Sequence, residues 1–111
     1  MKHLLAVSGL IFAALVANAA QGADLPVYKL IIRNQAFQPT ELTVPANTKV
    51  KVLVINQDST PSEFESSEFN REKIVLPGSS VTVFVGPLSK GRYKFFDDFH
   101  RDTGNGVLIV Q

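Results

Sequence analysis

The sequence predicts a single all-β domain, a β-sandwich or Greek-key barrel of about seven short strands. Apolar and polar residues alternate along most of the chain after residue 26, and no stretch there repeats apolar residues at helical spacing over three turns. Proline, glycine and asparagine residues separate the alternating segments, as expected for turns. A chain of 111 residues has room for one such domain and not for a second catalytic domain.

The predicted strands follow from this alternation. Segment 48–55 has valines at alternate positions on one face and two lysines on the other, and segment 80–85 again alternates valine with other residues. Such a pattern is typical of strands with one buried face. By the same criterion, further strands are expected at 27–33, 41–44, 73–76, 93–97 and 106–110. The polar segment 59–72 is interpreted as an irregular loop or a short helical excursion between two strands.

Residues 1–19 have the pattern of a secretory signal peptide. A charged start at Lys2 precedes an apolar run from Leu4 to Val16, and the segment ends Ala-Asn-Ala. The run is shorter than the roughly 20 apolar residues of a membrane-spanning helix. We therefore expect cleavage after Ala19, a periplasmic location, and a mature domain of residues 20–111 without a membrane anchor. An uncleaved signal anchor is the alternative.

Composition excludes several classes of function. The chain has no cysteine, so it forms no disulfide, thiolate zinc site, iron–sulfur cluster or cysteine nucleophile. Its net charge is +1 and it has no basic patch interleaved with aromatic residues, so nucleic acid is not an expected partner. The zinc-protease and serine-hydrolase motifs are also absent.

The loop 97–102, with the sequence Asp-Asp-Phe-His-Arg-Asp, is the first candidate site. Asp97 shares strand parity with Phe95, so its side chain should point toward the end of the barrel. Together with His100, three residues later, it forms a plausible metal-binding pair, to which Asp98 is added. The alternative is structural: Asp97 pairs with Arg101 or Arg92, and His100 lies at the surface.

A run of glutamates in segment 59–72 is the second candidate. Glu63 and Glu65 alternate with Phe64, which places their side chains on the face opposite the core, and Glu68 follows. Arg71 and Lys73 offer partners that could neutralise Glu68 and Glu72. The run is therefore either part of a metal site or an ordinary solvated acidic face, whose ion pairs contribute about 0–1 kcal/mol each.

The end of the chain resembles the C-terminal hairpin of cupredoxins. Segment 93–110 reads Y-K-F-F-D-D-F-H-R-D-T-G-N-G-V-L-I-V, and segment 56–65, N-Q-D-S-T-P-S-E-F-E, is similar to the middle of that family's pattern. The similarity extends over residues 27–110 and implies a cupredoxin-like Greek-key fold. It also implies that Asp97 stands at the copper cysteine position, Ser62 at the first histidine position, and Asn105 near the methionine position. His100 alone keeps a ligand type.

These departures exclude a blue-copper centre, which needs two histidines and a thiolate. The protein is therefore not expected to be a type-1 copper electron carrier.

A narrower resemblance points to iron. The E-F-E, R-E-K-I-V-L-P-G and F-F-D-D-F-H segments resemble the EfeO-type cupredoxin domain and the periplasmic cupredoxin-like components of bacterial iron uptake. That resemblance implies binding of iron or Cu(II) by carboxylates and one histidine. It also implies assistance in ferrous-iron oxidation, or hand-over to a periplasmic iron-binding protein or a ferrous-iron permease. The site would be drawn from six residues: Asp97, His100, Glu63, Glu65, Asp98 and Glu68. A periplasmic copper-binding or copper-resistance protein and a metal-free interaction module are the alternatives.

Overall fold

The computed structural model describes residues 24–111, and the predicted signal peptide lies outside them. Nine strands follow one another along the described chain. They are β1 (Val27–Arg33), β2 (Ala36–Gln38), β3 (Glu41–Val44), β4 (Val50–Asn56), β5 (Ser62–Ser66), β6 (Arg71–Val75), β7 (Ser80–Val85), β8 (Gly91–Asp97) and β9 (Asn105–Val110). Within this part of the chain, no helix has the length and hydropathy needed to cross a bilayer.

The strands form two sheets that enclose one apolar core. The four-stranded sheet has the order β2-β1-β4-β7, and the five-stranded sheet has the order β3-β9-β8-β5-β6. Most pairs are antiparallel, but β1 pairs with β4 and β3 pairs with β9 in parallel. In most strands, such as β3, β4 and β9, alternate residues are buried in the core. There Phe37, Phe64 and Phe95 pack with ring centroids 5.0–6.1 Å apart. The all-β prediction is confirmed.

Two strands were not predicted from the sequence. The three-residue β2 is too short to give an alternation signal. Segment 59–72 is neither a loop throughout nor a helical excursion, because residues 62–66 form β5 and pair with both β6 and β8. The alternation of apolar and polar residues did not indicate this strand, because two buried serines occupy the inward positions beside Phe64.

The pairing of β5 with β8 positions both candidate sites. Phe64 lies opposite Asp97, and Glu65 lies opposite Phe96. Because successive side chains of a strand point to opposite faces, Asp97 points into the sandwich with Phe64, and Glu63 and Glu65 point out of it. The two candidate groups therefore lie on opposite faces of the same sheet.

Candidate metal centre

Asp97, the last residue of β8, lies inside the sandwich beside His100. The Asp97 residue is 1% exposed and the His100 side chain 16% exposed, and Asp97 Oδ2 lies 2.8 Å from His100 Nδ1. The alternative in which Asp97 pairs with an arginine is wrong, because Arg101 pairs with Asp98 and Arg92 pairs with Glu41. His100 is half-buried and is not a surface residue.

The remaining contacts of Asp97 tie three segments together. Its Oδ1 accepts hydrogen bonds from the backbone N–H groups of Glu63, at 2.9 Å, and Phe99, at 3.0 Å. Its own N–H donates to the carbonyl of Gly104, and a side chain at that glycine would place a Cβ 2.5 Å from the Asp97 Cβ. The loop can therefore close over Asp97 because residue 104 is glycine.

These contacts fix the charge state of Asp97. Burial by itself raises the pKa of the carboxyl, but the hydrogen bonds from the Glu63 backbone, His100 and the Phe99 backbone outweigh it and hold the pKa below its ordinary value. Asp97 is thus a buried carboxylate that already has three hydrogen-bond partners. A metal at His100 would use Nε2, with Asp97 holding Nδ1, an arrangement common behind metal-binding histidines.

A second group of carboxylates lies on the outer face of the same sheet. Glu65 of β5 is directly opposite Glu72 of β6, and Glu63 lies two residues along β5 from Glu65. One carboxylate oxygen from each of these three residues lies within 4.8 Å of the others. We refer to Glu63, Glu65 and Glu72 as the outer carboxylate cluster. Its three oxygens are close enough to share one cation.

Glu63 is the most perturbed member of this cluster. It is 8% exposed although it points away from the core. Burial first, then the charge and hydrogen bonding of Glu72, and then those of Asp98 raise the pKa of Glu63 to about 7. Each of these causes raises the pKa, and none of the ion pairs found among residues 24–111 includes Glu63. A buried carboxylate of this kind takes up either a proton or a cation.

Asp98 lies at the border of the cluster. Its N–H donates to the Glu63 carbonyl, and its Oδ1 accepts a hydrogen bond of 2.7 Å from Arg101 Nε. Arg101 and Asp98 also form an ion pair, with 2.5 Å between Nη2 and Oδ1. The Arg101 guanidinium in turn lies over the Phe96 ring, 4.6 Å from its centroid. Asp98 is therefore near Glu63 but already has a cationic partner.

The structure thus divides the six predicted ligands. Asp97 and His100 form a pair inside the sandwich, whereas Glu63, Glu65 and Asp98 lie on its outer face. Glu68 belongs to neither group of described residues. Its carboxylate instead accepts a hydrogen bond from the backbone N–H of Lys94. The role of each residue as a metal ligand remains a prediction.

Glu72 was missed by sequence reasoning, which treated it as neutralised by its basic neighbours. Arg71 instead donates to the carbonyls of Phe84 and Asn70. The signal that could have found Glu72 is the register of a hairpin between β5 and β6, since that register places it opposite Glu65. Predicting the hairpin required recognising β5 first.

The raised pKa of Glu63 predicts the pH dependence of stability without metal. Between about pH 4.5 and 7 the folded protein binds a proton at Glu63 more tightly than the unfolded chain does. This stabilisation is complete below the unfolded pKa and is lost as the pH rises through about 7. We expect Glu63→Gln to raise the melting temperature more at about pH 8 than at about pH 5. Thermal denaturation of both proteins in chelator measures this, and equal shifts at the two pH values would contradict it.

Comparison with known proteins supports the fold. The model of the family described as "Cupredoxin-like domain" matches residues 5–110. An uncharacterised protein of Rickettsia prowazekii (strain Madrid E) is 43% identical over 82 residues. Those residues make up 74% of this chain and 66% of that protein, so the chain spans just under two thirds of its relative.

Solved structures give the same result. Auracyanin A of Chloroflexus aurantiacus, described as a "blue" copper protein, superposes with a TM-score of 0.68 at 15% identity, over 79% of this chain and 100% of that one. A purple cupredoxin of Nitrosopumilus maritimus gives a TM-score of 0.59 at 23% identity, over 76% of this chain and 99% of that one. At these identities the similarity shows the fold alone.

Proposed function

Because this chain belongs to the cupredoxin-like domain family but has no cysteine, we propose that it is a periplasmic metal-binding protein whose ligands are carboxylates and not a thiolate. The observation that carries the proposal is the outer carboxylate cluster, in which Glu63 is buried and forms no ion pair with the described residues. A bound cation would replace the proton that Glu63 otherwise takes up.

The oxygen ligands favour hard cations. Carboxylates suit Mn(II) and the iron ions, whereas Cu(I) selects thiolate and thioether ligands. Of these hard cations we propose iron as the cargo, on the resemblance of the segments around Glu63, Glu72 and His100 to cupredoxin-like components of iron uptake. Anionic oxygen ligands stabilise Fe(III) relative to Fe(II), so the site would also promote loss of one electron from bound Fe(II) to an external oxidant. The partners would be a periplasmic iron-binding protein or a ferrous-iron permease.

The Asp97–His100 pair supports the alternative of a copper-binding protein. Imidazole suits Cu(II) better than carboxylate does, and His100 is the one histidine of residues 24–111. A Cu(II) ion held there would leave the outer carboxylate cluster empty. The two functions therefore differ in which face of the sheet holds the metal.

Metal titration of the purified protein tests the proposal. We expect one Fe(II) ion per chain under anaerobic conditions, with affinity falling below about pH 7 as Glu63 takes up its proton. A Cu(II) complex should lack the intense absorption at about 600 nm that a thiolate ligand gives. Calorimetry and absorption spectroscopy measure these quantities. Tight Cu(II) binding that depends on His100 and not on the cluster would favour the copper protein, and no binding of any metal would favour a metal-free interaction module.

A further inference from the structure

The outer face of the four-stranded sheet is basic. The outward positions of β1, β4 and β7 alternate with the buried positions of the same strands. Every charged residue at these outward positions is a lysine or an arginine: Lys29, Arg33 and Lys51. The outward strand positions of the five-stranded sheet instead carry four glutamates and two basic residues. A chain of net charge +1 therefore has a basic face and an acidic face on opposite sides of the sandwich.

Apolar side chains interrupt the basic face. The register of the three strands places Val27, Lys51 and Phe84 side by side in one row across the sheet. Val27 is 56% exposed and Phe84 is 42% exposed. We call these three residues the basic–apolar row.

Two more cations contact Phe84, one at its ring and one at its backbone. Lys49 Nζ lies 5.3 Å from the centroid of the Phe84 ring, and Arg71 Nε donates a hydrogen bond of 2.7 Å to the Phe84 carbonyl. The ion pairs found among residues 24–111 involve none of Lys29, Lys49, Lys51 or Arg71. The positive charge of this face is therefore not neutralised by contacts within the described chain.

We propose that this face docks peripherally on anionic phospholipid bilayers, with the basic–apolar row at the centre of the contact. Lysine and arginine would reach the lipid phosphates, while the Phe84 ring and the Val27 side chain would enter the boundary between headgroups and acyl chains. A bilayer provides negative charge and an apolar layer within a few ångströms of each other over a flat surface, which matches a sheet face that mixes cations with exposed apolar side chains.

The course of the chain is consistent with this occupant. β1 begins at Val27, within the row. In the alternative of an uncleaved signal anchor, the apolar run Leu4–Val16 would hold this end of β1 close to a membrane. Docking through the four-stranded sheet would direct the outer carboxylate cluster, on the other sheet, toward the aqueous phase. The inference is independent of which metal the cluster binds.

Vesicle co-sedimentation of the full chain tests the proposal. We compare vesicles of phosphatidylcholine alone with vesicles that contain about one third phosphatidylglycerol. The measured quantity is the ratio of the two partition coefficients. Because Lys2 gives the N-terminal run a positive charge of its own, the variants described next are compared in the same full chain. We expect a ratio well above 1 that falls as salt is added. A ratio near 1 would overturn the proposal and favour an acidic protein as the occupant.

Paired substitutions locate the binding face. Removing two cations with Lys49→Gln and Lys51→Gln should lower the ratio by roughly 25-fold, because each cation near an anionic surface contributes about fivefold. The matched control is Arg92→Gln with Lys94→Gln, which removes the same charge from the other sheet and should change the ratio by less than about twofold. Equal losses in the two double variants would show that net charge alone matters and would contradict docking through this face.

Discussion

Replacing Glu63 by glutamine is expected to lower the affinity for Fe(II) by at least about tenfold, and by up to about 100-fold. Glutamine has nearly the shape of glutamate, so the substitution removes the charge and keeps the packing. Glu72→Gln should cost a similar factor, since Glu72 supplies another of the three clustered oxygens. Calorimetric titration at a pH above 7 measures the loss.

Two glutamates provide matched controls for this experiment. Glu41→Gln removes a charge from the same sheet face, where that residue pairs with Arg92. Glu68→Gln removes a carboxylate that was predicted as a ligand from the sequence. In the structure this carboxylate accepts a hydrogen bond from the backbone N–H of Lys94. Neither should change affinity by more than about twofold. Loss of affinity in Glu68→Gln with none in Glu72→Gln would show that the outer carboxylate cluster is not the metal site.

The same Glu63→Gln substitution should stabilise the protein without metal. Removing a poorly solvated carboxylate is expected to add on the order of 1 kcal/mol to the free energy of unfolding. That corresponds to about 4–8 °C in melting temperature for a domain of this size. Opposite effects on affinity and stability identify Glu63 as a binding residue, because a structural residue would lose stability on substitution.

Asp97→Ala, unlike Glu63→Gln, is expected to destabilise the protein, with a loss of about 3 kcal/mol in the free energy of unfolding. The substitution leaves the N–H groups of Glu63 and Phe99 without their acceptor and removes the partner of His100 Nδ1. Because the pKa of Asp97 is lowered in the folded state, the stabilisation is present above its ordinary pKa and is lost as the pH falls. Chemical denaturation near neutral pH measures the loss.

Two further variants test whether the loss of stability comes from the hydrogen bonds of the Asp97 carboxylate. Asp97→Asn retains an oxygen for the two backbone donors and an amide that can donate to His100 Nδ1, so it should recover more than half of the stability lost in the alanine variant. Asp102→Ala, at an exposed position of the same loop, should change stability by less than about 0.5 kcal/mol. If Asp97→Asn is fully stable yet binds no metal, Asp97 itself holds the metal, and the site is the inherited copper position.

Much of the fold could be predicted because alternation is a local property. Whether a residue points in or out is set by its parity along the strand, so Asp97 was correctly grouped with Phe95, and Glu63 and Glu65 were correctly placed on the other face. β5 was missed because serines occupy its inward positions, where the alternation signal needs apolar side chains. The absence of cysteine is enough to exclude a blue-copper centre, because no fold can supply the thiolate ligand that such a centre needs.

The composition of the site depended on tertiary structure. The sequence by itself determined the β-sandwich, the lack of thiolate ligands, and which side chains share a face of each strand. Register between strands is set by contacts between distant segments, such as the hydrogen bond from Glu63 to Asp97 across 34 positions. That register brings Glu72 to Glu65, excludes Glu68, and separates Asp97 and His100 from the glutamates by the thickness of a sheet. Local alternation specifies the face of a strand, whereas its neighbours, and therefore the ligands available to a metal, are chosen by the packing of the whole domain.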